Sequence, residues 1–504
     1  MAARRSPAHA PHFRFRPLPA AITALAAAAG LLGGSAIVSP AFAQTAQTAQ
    51  TAQTAKTAQT AKTAQTAQTT QAVSAPASQS QPTIGDPALH AQIETRAKAA
   101  EARLIAWRRD IHQHPELGNY EVRTAKLVAD HLRKLGMEVK TGVAKTGVVG
   151  LLKGGKPGPV VALRADMDAL PVKERVDVPF ASKAKGKYLG KEVDVMHACG
   201  HDTHVAILMA TAEVLAGMKD QLPGTVKFIF QPAEESPADI EPDGTNIWGA
   251  KQMVAEGVLE NPKVDAIFGL HVSSGIESGK LAWRSGPAMA AADQFWIDVK
   301  GRQTHGARPW GGIDPIVVSS QIVLGLQTIQ SRQVNAMLEP SVITVGTIHG
   351  GNRMNIVPEK VEMMGTIRTY DEGMKKDIHA RMKRTTESIA ASSGAEATFR
   401  VVELYNATVN QPALTEKMAP TLKRVAGDGN WMLAPKATAS EDFSFYQEKV
   451  PGLFFNLGVT PKGTDVTKAP SNHSPEFYVD EPALINGVRA LSNLTVDYMT
   501  MAQR

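Results

Sequence analysis

The sequence predicts an α/β protein in which a main domain, built on a mostly parallel central sheet, is interrupted by an inserted ferredoxin-like α+β domain. Three observations carry this expectation. Short apolar runs alternate with amphipathic helical stretches, the pattern of strands buried on both faces. The segment 293–403 instead reads strand, helix, strand, strand, helix, strand, which is the split βαβ order. The first pattern resumes after residue 403, so the second domain is an insertion. With 504 residues, 43% hydrophobic and 20% charged, the chain is long and apolar enough to bury a large core in more than one domain.

Residues 1–43 read as a secretory signal. Arg4, Arg5, Arg14 and Arg16 precede an alanine-rich apolar stretch from Leu18 to Val38, and Ala41-Phe42-Ala43 forms a small-residue cleavage site. An amino-terminal anchor is the alternative, but alanine and glycine make the stretch only weakly apolar. Arg4-Arg5 permits twin-arginine export, without the residues that should follow such a pair. The expected location is therefore periplasmic or secreted, with no stable membrane insertion after cleavage. These 43 residues hold four arginines and no acid, so their removal lowers the formal charge from +6 to +2. The basic balance thus gives no reason to expect a nucleic-acid partner. Residues 44–90 are expected to be a solvated linker, since the Thr-Ala-Gln/Lys triplets from Thr45 to Gln68 hold no bulky apolar residue to bury.

The folded elements follow in order. Helical spacing of Leu104, Trp107 and Ile111, then of Leu127, Val128, Leu132 and Leu135, predicts two helices broken at His114-Pro115. Strands are expected at Val148–Leu152, Val160–Leu163, Val226–Phe230, Ala266–Leu270 and Leu453–Leu457, and a helix is expected through Val205, Leu208, Ala212 and Leu215. The main domain thus occupies 91–292 and 404–504. In the insertion, strands are expected at Gln294–Val299, Ser341–Ile348, Glu359–Thr369 and Ala397–Glu403, with helices Pro315–Gln330 and Glu372–Ala391.

Cys199 is the only cysteine and cannot form a disulfide within the chain. It lies in Met196-His197-Ala198-Cys199-Gly200-His201-Asp202-Thr203-His204, where a thiolate two residues from an imidazole makes a sensible ligand pair for a borderline metal ion. Taken alone, a buried cysteine among surface histidines would explain this run. The strand ends argue otherwise: one strand runs into Asp166 and Asp168, a second into Gln231-Pro232-Ala233-Glu234-Glu235, and a third into His271. In open α/β sheets the carboxyl ends of the strands form the ligand crevice, so these groups should converge with Cys199 and His201.

On these residues the chain resembles a known family. The blocks Ala162–Pro171, Met196–His204, Gln231–Glu235, Gly269–Val272, Thr304–Ala307, Asn355–Pro358 and His473–Phe477 occur in order, and 95–499 is similar to the dinuclear metallopeptidase family of aminoacylases and carboxypeptidases. The branch it resembles is that of hippurate hydrolases and auxin-conjugate amidohydrolases. The resemblance implies two divalent metal ions (zinc, manganese or cobalt) held by Cys199, His201, Glu235, His271 and His473. It implies Glu234 as general base and proton shuttle, and Asp168 as the aspartate that orients the centre. It implies that His305, in the inserted domain, stabilises the oxyanion in a partner subunit's site, hence a homodimer and a closing lid. Asn355 and Arg368 are candidates for binding the substrate carbonyl and carboxylate.

Two features depart from the family's pattern. The Pro- and acid-rich insertion Ser236–Trp248 begins beside the expected base, and Ala307-Arg308-Pro309-Trp310 offers a possible aromatic wall. The expected function is hydrolysis of the amide of an N-acyl amino acid, with a dipeptidase or carboxypeptidase as the nearest rival. A noncatalytic metal- or ligand-binding protein is the distant alternative, and it gives Glu234 no task.

Overall fold

The computed structural model describes residues 85–241 and 243–502; the expected signal and triplet repeat lie outside the described residues. Asp86 opens the first helix, Pro87–Gln113, by accepting a hydrogen bond from the Ala88 amide, with Pro87 at a position that needs no donor. The first helix among the described residues therefore begins at Pro87, inside the segment expected to be linker. No helix of the described residues is long and apolar enough to cross a membrane.

The main domain holds an eight-stranded sheet whose spatial order is Glu138–Val143, Gly147–Lys153, Pro223–Gln231, Lys156–Asp166, Ala266–Glu277, Gly452–Thr460, Leu281–Trp283 and Trp431–Leu433. Its four central strands, from Pro223–Gln231 to Gly452–Thr460, are parallel, while Gly147–Lys153 and Glu138–Val143 add an antiparallel edge. One face packs on the helices Pro87–Gln113, His201–Ala216 and Leu484–Met501 through Leu104, Leu208, Phe228, Phe268 and Leu494. The other face packs Ile229, Ile267 and Phe454 against Met253, Phe443 and Tyr446. Burial on both sides explains why these strands read as unbroken apolar runs.

The inserted domain is a four-stranded antiparallel sheet in the order Val342–Gly350, Lys360–Thr369, Ala291–Lys300, Glu396–Tyr405. Phe295, Ile297 and Val299 alternate onto the face covered by the helices Pro315–Thr328 and Glu372–Ser392, where Val318, Ile322, Ile378 and Met382 meet them. This is the ferredoxin-like arrangement, its first strand beginning at residue 291 and its last ending at 405, two residues outside the expected 293–403 at either end.

Candidate metal centre and active site

The carboxyl ends of the central strands converge on one cavity of about 380 Å³ lined by Cys199, Glu234, Glu235, His271, Arg368 and His473, among others. His271 reaches it differently from the expectation. Its strand does not end at Leu270 but runs on to Glu277, and pairing with Lys156–Asp166 stops at Gly269, which exposes the His271 side chain past the neighbouring strand. Gly200 turns the chain between the two donors of the cysteine block. Its φ is +98°, and a Cβ there would lie 2.3 Å from the Val272 side chain, so only glycine brings Cys199 and His201 this close to the His271 strand.

Three histidines gather around the Cys199 sulfur, and one of them, His473, also meets the Glu235 carboxylate. His201 Nδ1 lies 2.8 Å from the Asp168 carbonyl and His271 Nδ1 lies 2.7 Å from the Val272 carbonyl. A carbonyl only accepts, so both Nδ1 atoms donate and both Nε2 atoms keep a lone pair when the rings are neutral. His271 Nε2 is 3.3 Å from Cys199 Sγ, and His473 Nε2 is 3.2 Å from the same sulfur and 2.8 Å from Glu235 Oε1. His201 Nε2 is fully buried and, among the described residues, has no hydrogen-bond partner. A buried nitrogen left open beside a thiol and a second imidazole suits a cation ligand. Donor atoms of Cys199, His201 and His271 lie within 4.8 Å of one another, as do those of Cys199, Glu235 and His473, so two triads share one sulfur. A thiolate, three imidazoles and a carboxylate fit two borderline divalent ions.

The electrostatics agree with that donor chemistry. Burial lowers the His201 pKa, yet Asp166 and Cys199 outweigh it and hold the ring well above its ordinary value. Hydrogen bonds to Cys199 and Glu235 raise His473 to about 10. Burial, helped by His204, holds His271 well below its ordinary value. The site therefore draws positive charge, which a divalent ion supplies without a proton. Burial and the Glu235 carboxylate push the Cys199 thiol up, which argues against a free nucleophilic thiolate. Glu234 is driven well above the usual carboxylate range by burial, then by Glu441, Glu235 and Asp442.

The other expected residues fall into two groups. Asp168 joins the centre as a brace: its carbonyl and Oδ1 face His201 Nδ1, and its Oδ2 accepts the Glu235 amide at 2.9 Å. Arg368 projects from the inserted domain into the same cavity, half-buried, where burial lowers its pKa. His305 and Asn355 lie elsewhere, on neighbouring short segments: the strands Thr304–His305 and Ile356–Val357 pair with His305 opposite Ile356, and the Gly306 amide donates to the Asn355 carbonyl at 2.8 Å. Both side chains are exposed on the inserted domain and neither lines the cavity.

Several residues of the site were not singled out by sequence reasoning. Arg164, fully buried, donates to Asp166 at 2.6 Å, Gln231 at 2.8 Å, Glu441 at 2.9 Å and Asp442 at 2.8 Å, forming the floor of the centre. Its signal was a cation inside an apolar strand, which must find acids if buried. His204 accepts the Val272 amide at Nε2 and donates Nδ1 to Asp166 at 2.6 Å, so it is saturated and is not a ligand. Asn472 ties the His473 loop down by donating to the carbonyls of Cys199 and Val272, and it holds His473 at φ +73°.

Comparisons with known proteins fit this geometry. The sequence profile described as peptidase family M20/M25/M40 matches residues 162–497. A thermostable carboxypeptidase of Saccharolobus solfataricus is 42% identical over 81% of this chain and 98% of its own. An N-acetylcysteine deacetylase of Bacillus subtilis is 37% identical over 79% of this chain and 97% of its own, and an IAA-amino acid hydrolase of Arabidopsis thaliana is 36% identical over 84% and 92%. Among solved structures, a dinuclear metal-binding peptidase of the M20 family from Bacillus subtilis superposes with a TM-score of 0.66 at 35% identity, covering 80% of this chain and 99% of that one. A profile match over two thirds of the sequence and relatives of this identity over nearly their whole length establish that the chain belongs to peptidase family M20/M25/M40.

Proposed function

We propose that this family member is an exported hydrolase that cleaves the amide bond of N-acyl amino acids, with two divalent ions held by Cys199, His201, Glu235, His271 and His473. The observation that carries the proposal is the pair Glu234-Glu235: Glu235 turns to His473 and Cys199, while Glu234 stays buried at the cavity wall, beside the donors and in neither sulfur-sharing triad. When bound, the ions (zinc, manganese or cobalt) supply positive charge that acidifies water and polarises the scissile carbonyl.

Glu234 holds the attacking water at a carboxylate oxygen, takes its proton, and delivers that proton to the departing amine nitrogen. Its raised pKa suits the second half of that transfer, the delivery of the proton to the amine. Arg368 binds the carboxylate of the amino acid from across the cavity. Asp168 keeps His201 in the tautomer that bares Nε2.

The N-acyl amino acid class is supported by the deacetylase and IAA-amino acid hydrolase relatives. The carboxypeptidase relative supports the second reading, a dipeptide or short-peptide substrate with a free carboxylate. Export is supported by the signal-like composition of residues 1–43.

We further propose a homodimer formed by the inserted domain. Ile316, Val317 and Leu324 on Pro315–Thr328 are exposed, and beside them Val342–Gly350 is an unpaired edge strand carrying exposed Val342 and Ile348. Such a dimer is the means by which exposed His305 and Asn355 would complete a neighbour's cavity.

Stripping the purified protein with chelator should abolish hydrolysis of N-acetyl and N-benzoyl amino acids, and zinc, manganese or cobalt should restore it. Faster turnover of dipeptides than of any N-acyl amino acid would select the second reading. Full activity in the stripped protein would refute both.

A further inference from the structure

The turn that carries Glu234 is held in an unfavourable backbone conformation. Ala233 has φ +48° and Ser236 φ +122°, both in the left-handed half of conformational space that side chains avoid. Such a turn persists only where its surroundings fix it. Three side chains from three separate segments do so. Glu121 accepts the Ala233 amide at 2.8 Å, Asp168 accepts the Glu235 amide at 2.9 Å, and the Tyr405 hydroxyl donates to the Glu234 carbonyl at 2.7 Å. The first two belong to the main domain. Tyr405 does not.

Tyr405 is the last residue of the strand Glu396–Tyr405, where the inserted domain returns to the main domain. The register of that strand against Ala291–Lys300 slips at this point: Asp293 faces Glu403 and Ala292 faces Tyr405, which leaves Leu404 as one extra residue. A bulge next to a site re-aims the side chain that follows it. Gly244 and Trp248 of the insertion lie against the end of the same strand. A Cβ at Gly244 would sit 3.1 Å from Val402, and the Trp248 side chain reaches the Tyr405 hydroxyl.

We propose that Tyr405 is a positioning residue for Glu234, one that ties the orientation of the inserted domain to the carbonyl of the base and so sets where the base carboxylate stands. This inference rests on the assignment of Glu234 as general base. It gives the bulge at Leu404 and the 236–248 insertion a shared task, which is to hold the Tyr405 ring in place.

The test is a steady-state comparison of Tyr405→Phe, Glu234→Gln and Tyr370→Phe in the metal-loaded full-length protein, with metal content and thermal midpoint measured on each. Tyr370 is the control because its hydroxyl also bridges the two domains, donating to the Ala437 carbonyl at 2.8 Å, without touching Glu234. Tyr405→Phe should lower kcat about 10- to 100-fold, the cost of misplacing a catalytic group, with KM, metal content and thermal midpoint unchanged. Tyr370→Phe should keep kcat within about twofold of the parent. The inference is overturned if Tyr405→Phe keeps full kcat, raises KM alone, loses metal, or does no more than Tyr370→Phe. Activity surviving in Glu234→Gln would instead overturn the assignment of the base, and the inference with it.

Discussion

The two domains contribute to the cavity in opposite ways. The main domain supplies its groups already converged and fixed: Cys199, His201, Glu235 and His271 stand on strand ends and a helix start, above a floor in which Arg164 is shared by Asp166, Gln231, Glu441 and Asp442. The inserted domain supplies Arg368 and Tyr405 to the cavity of its own chain but leaves His305 and Asn355 exposed and away from it. The main-domain groups are thus fixed by burial and hydrogen bonding within the chain, whereas His305 and Asn355, the exposed half of the proposed site, are not. Binding groups mounted on a separate domain can adapt to substrate, whereas metal donors tolerate little displacement.

The largest effect should come from breaking the fixed half. Arg164→Met leaves Asp166, Glu441 and Asp442 buried without their cation, and should cost about 3–5 kcal/mol of stability. Chemical denaturation of parent and variant reads this directly, and a loss below about 1 kcal/mol would show that the acids are held by other means.

Next comes the exposed half. His305→Ala should lower kcat about 100-fold or more if the imidazole reaches an oxyanion, while leaving metal content and thermal midpoint nearly unchanged because the exposed ring does no more within its own chain than accept the Ala307 amide at 3.0 Å. Mixing inactive His305→Ala and Glu234→Gln proteins should restore activity if the histidine serves a partner's cavity, since mixed dimers then carry one site with both changes and one with neither. Failure to recover after subunit exchange would place the histidine in its own chain's site.

The smallest effect sharpens the boundary of the fixed half. His112 lies between Asp202 and Glu174 at 2.9 Å from each, behind the start of the metal-bearing helix. Burial lowers its pKa, but Asp202 and Glu174 outweigh burial and the net shift is upward. A group whose folded pKa is raised stabilises fully below its unfolded value near 6.5, and that contribution fades as pH rises through the folded value. The stability gap between parent and His112→Gln should therefore be widest below about pH 6.5 and narrow in alkaline buffer. A gap that widens with pH would mean that His112 is neutral in the native state.

Much of this was legible in the residues. Apolar runs leading into Asp166, Glu234-Glu235 and His271 announce a crevice, because the carboxyl ends of a two-sided parallel sheet are where ligands bind, even though the His271 strand itself continues to Glu277. The split βαβ order of the insertion survives in its alternating apolar positions. What stayed hidden depends on tertiary neighbours. Glu441 and Asp442 lie in a stretch without apolar periodicity, and only the fold places them over 270 residues from Arg164 in sequence and within 3 Å in space. His204 looks as capable of binding metal as His201, and what separates them is the Val272 amide that fills its second nitrogen. Tyr405 ends a strand of ordinary composition, and its role rests on a one-residue bulge that no periodicity reveals.

In the proposed hydrolase adjacent groups divide the work, Glu235 holding metal and Glu234 moving protons. Metal content and turnover measured on one preparation of Glu234→Gln separate the two roles. The variant should keep the parent's two equivalents of metal while its kcat falls by about 10³-fold or more. Retained turnover, or turnover lost only in step with lost metal, would contradict that division.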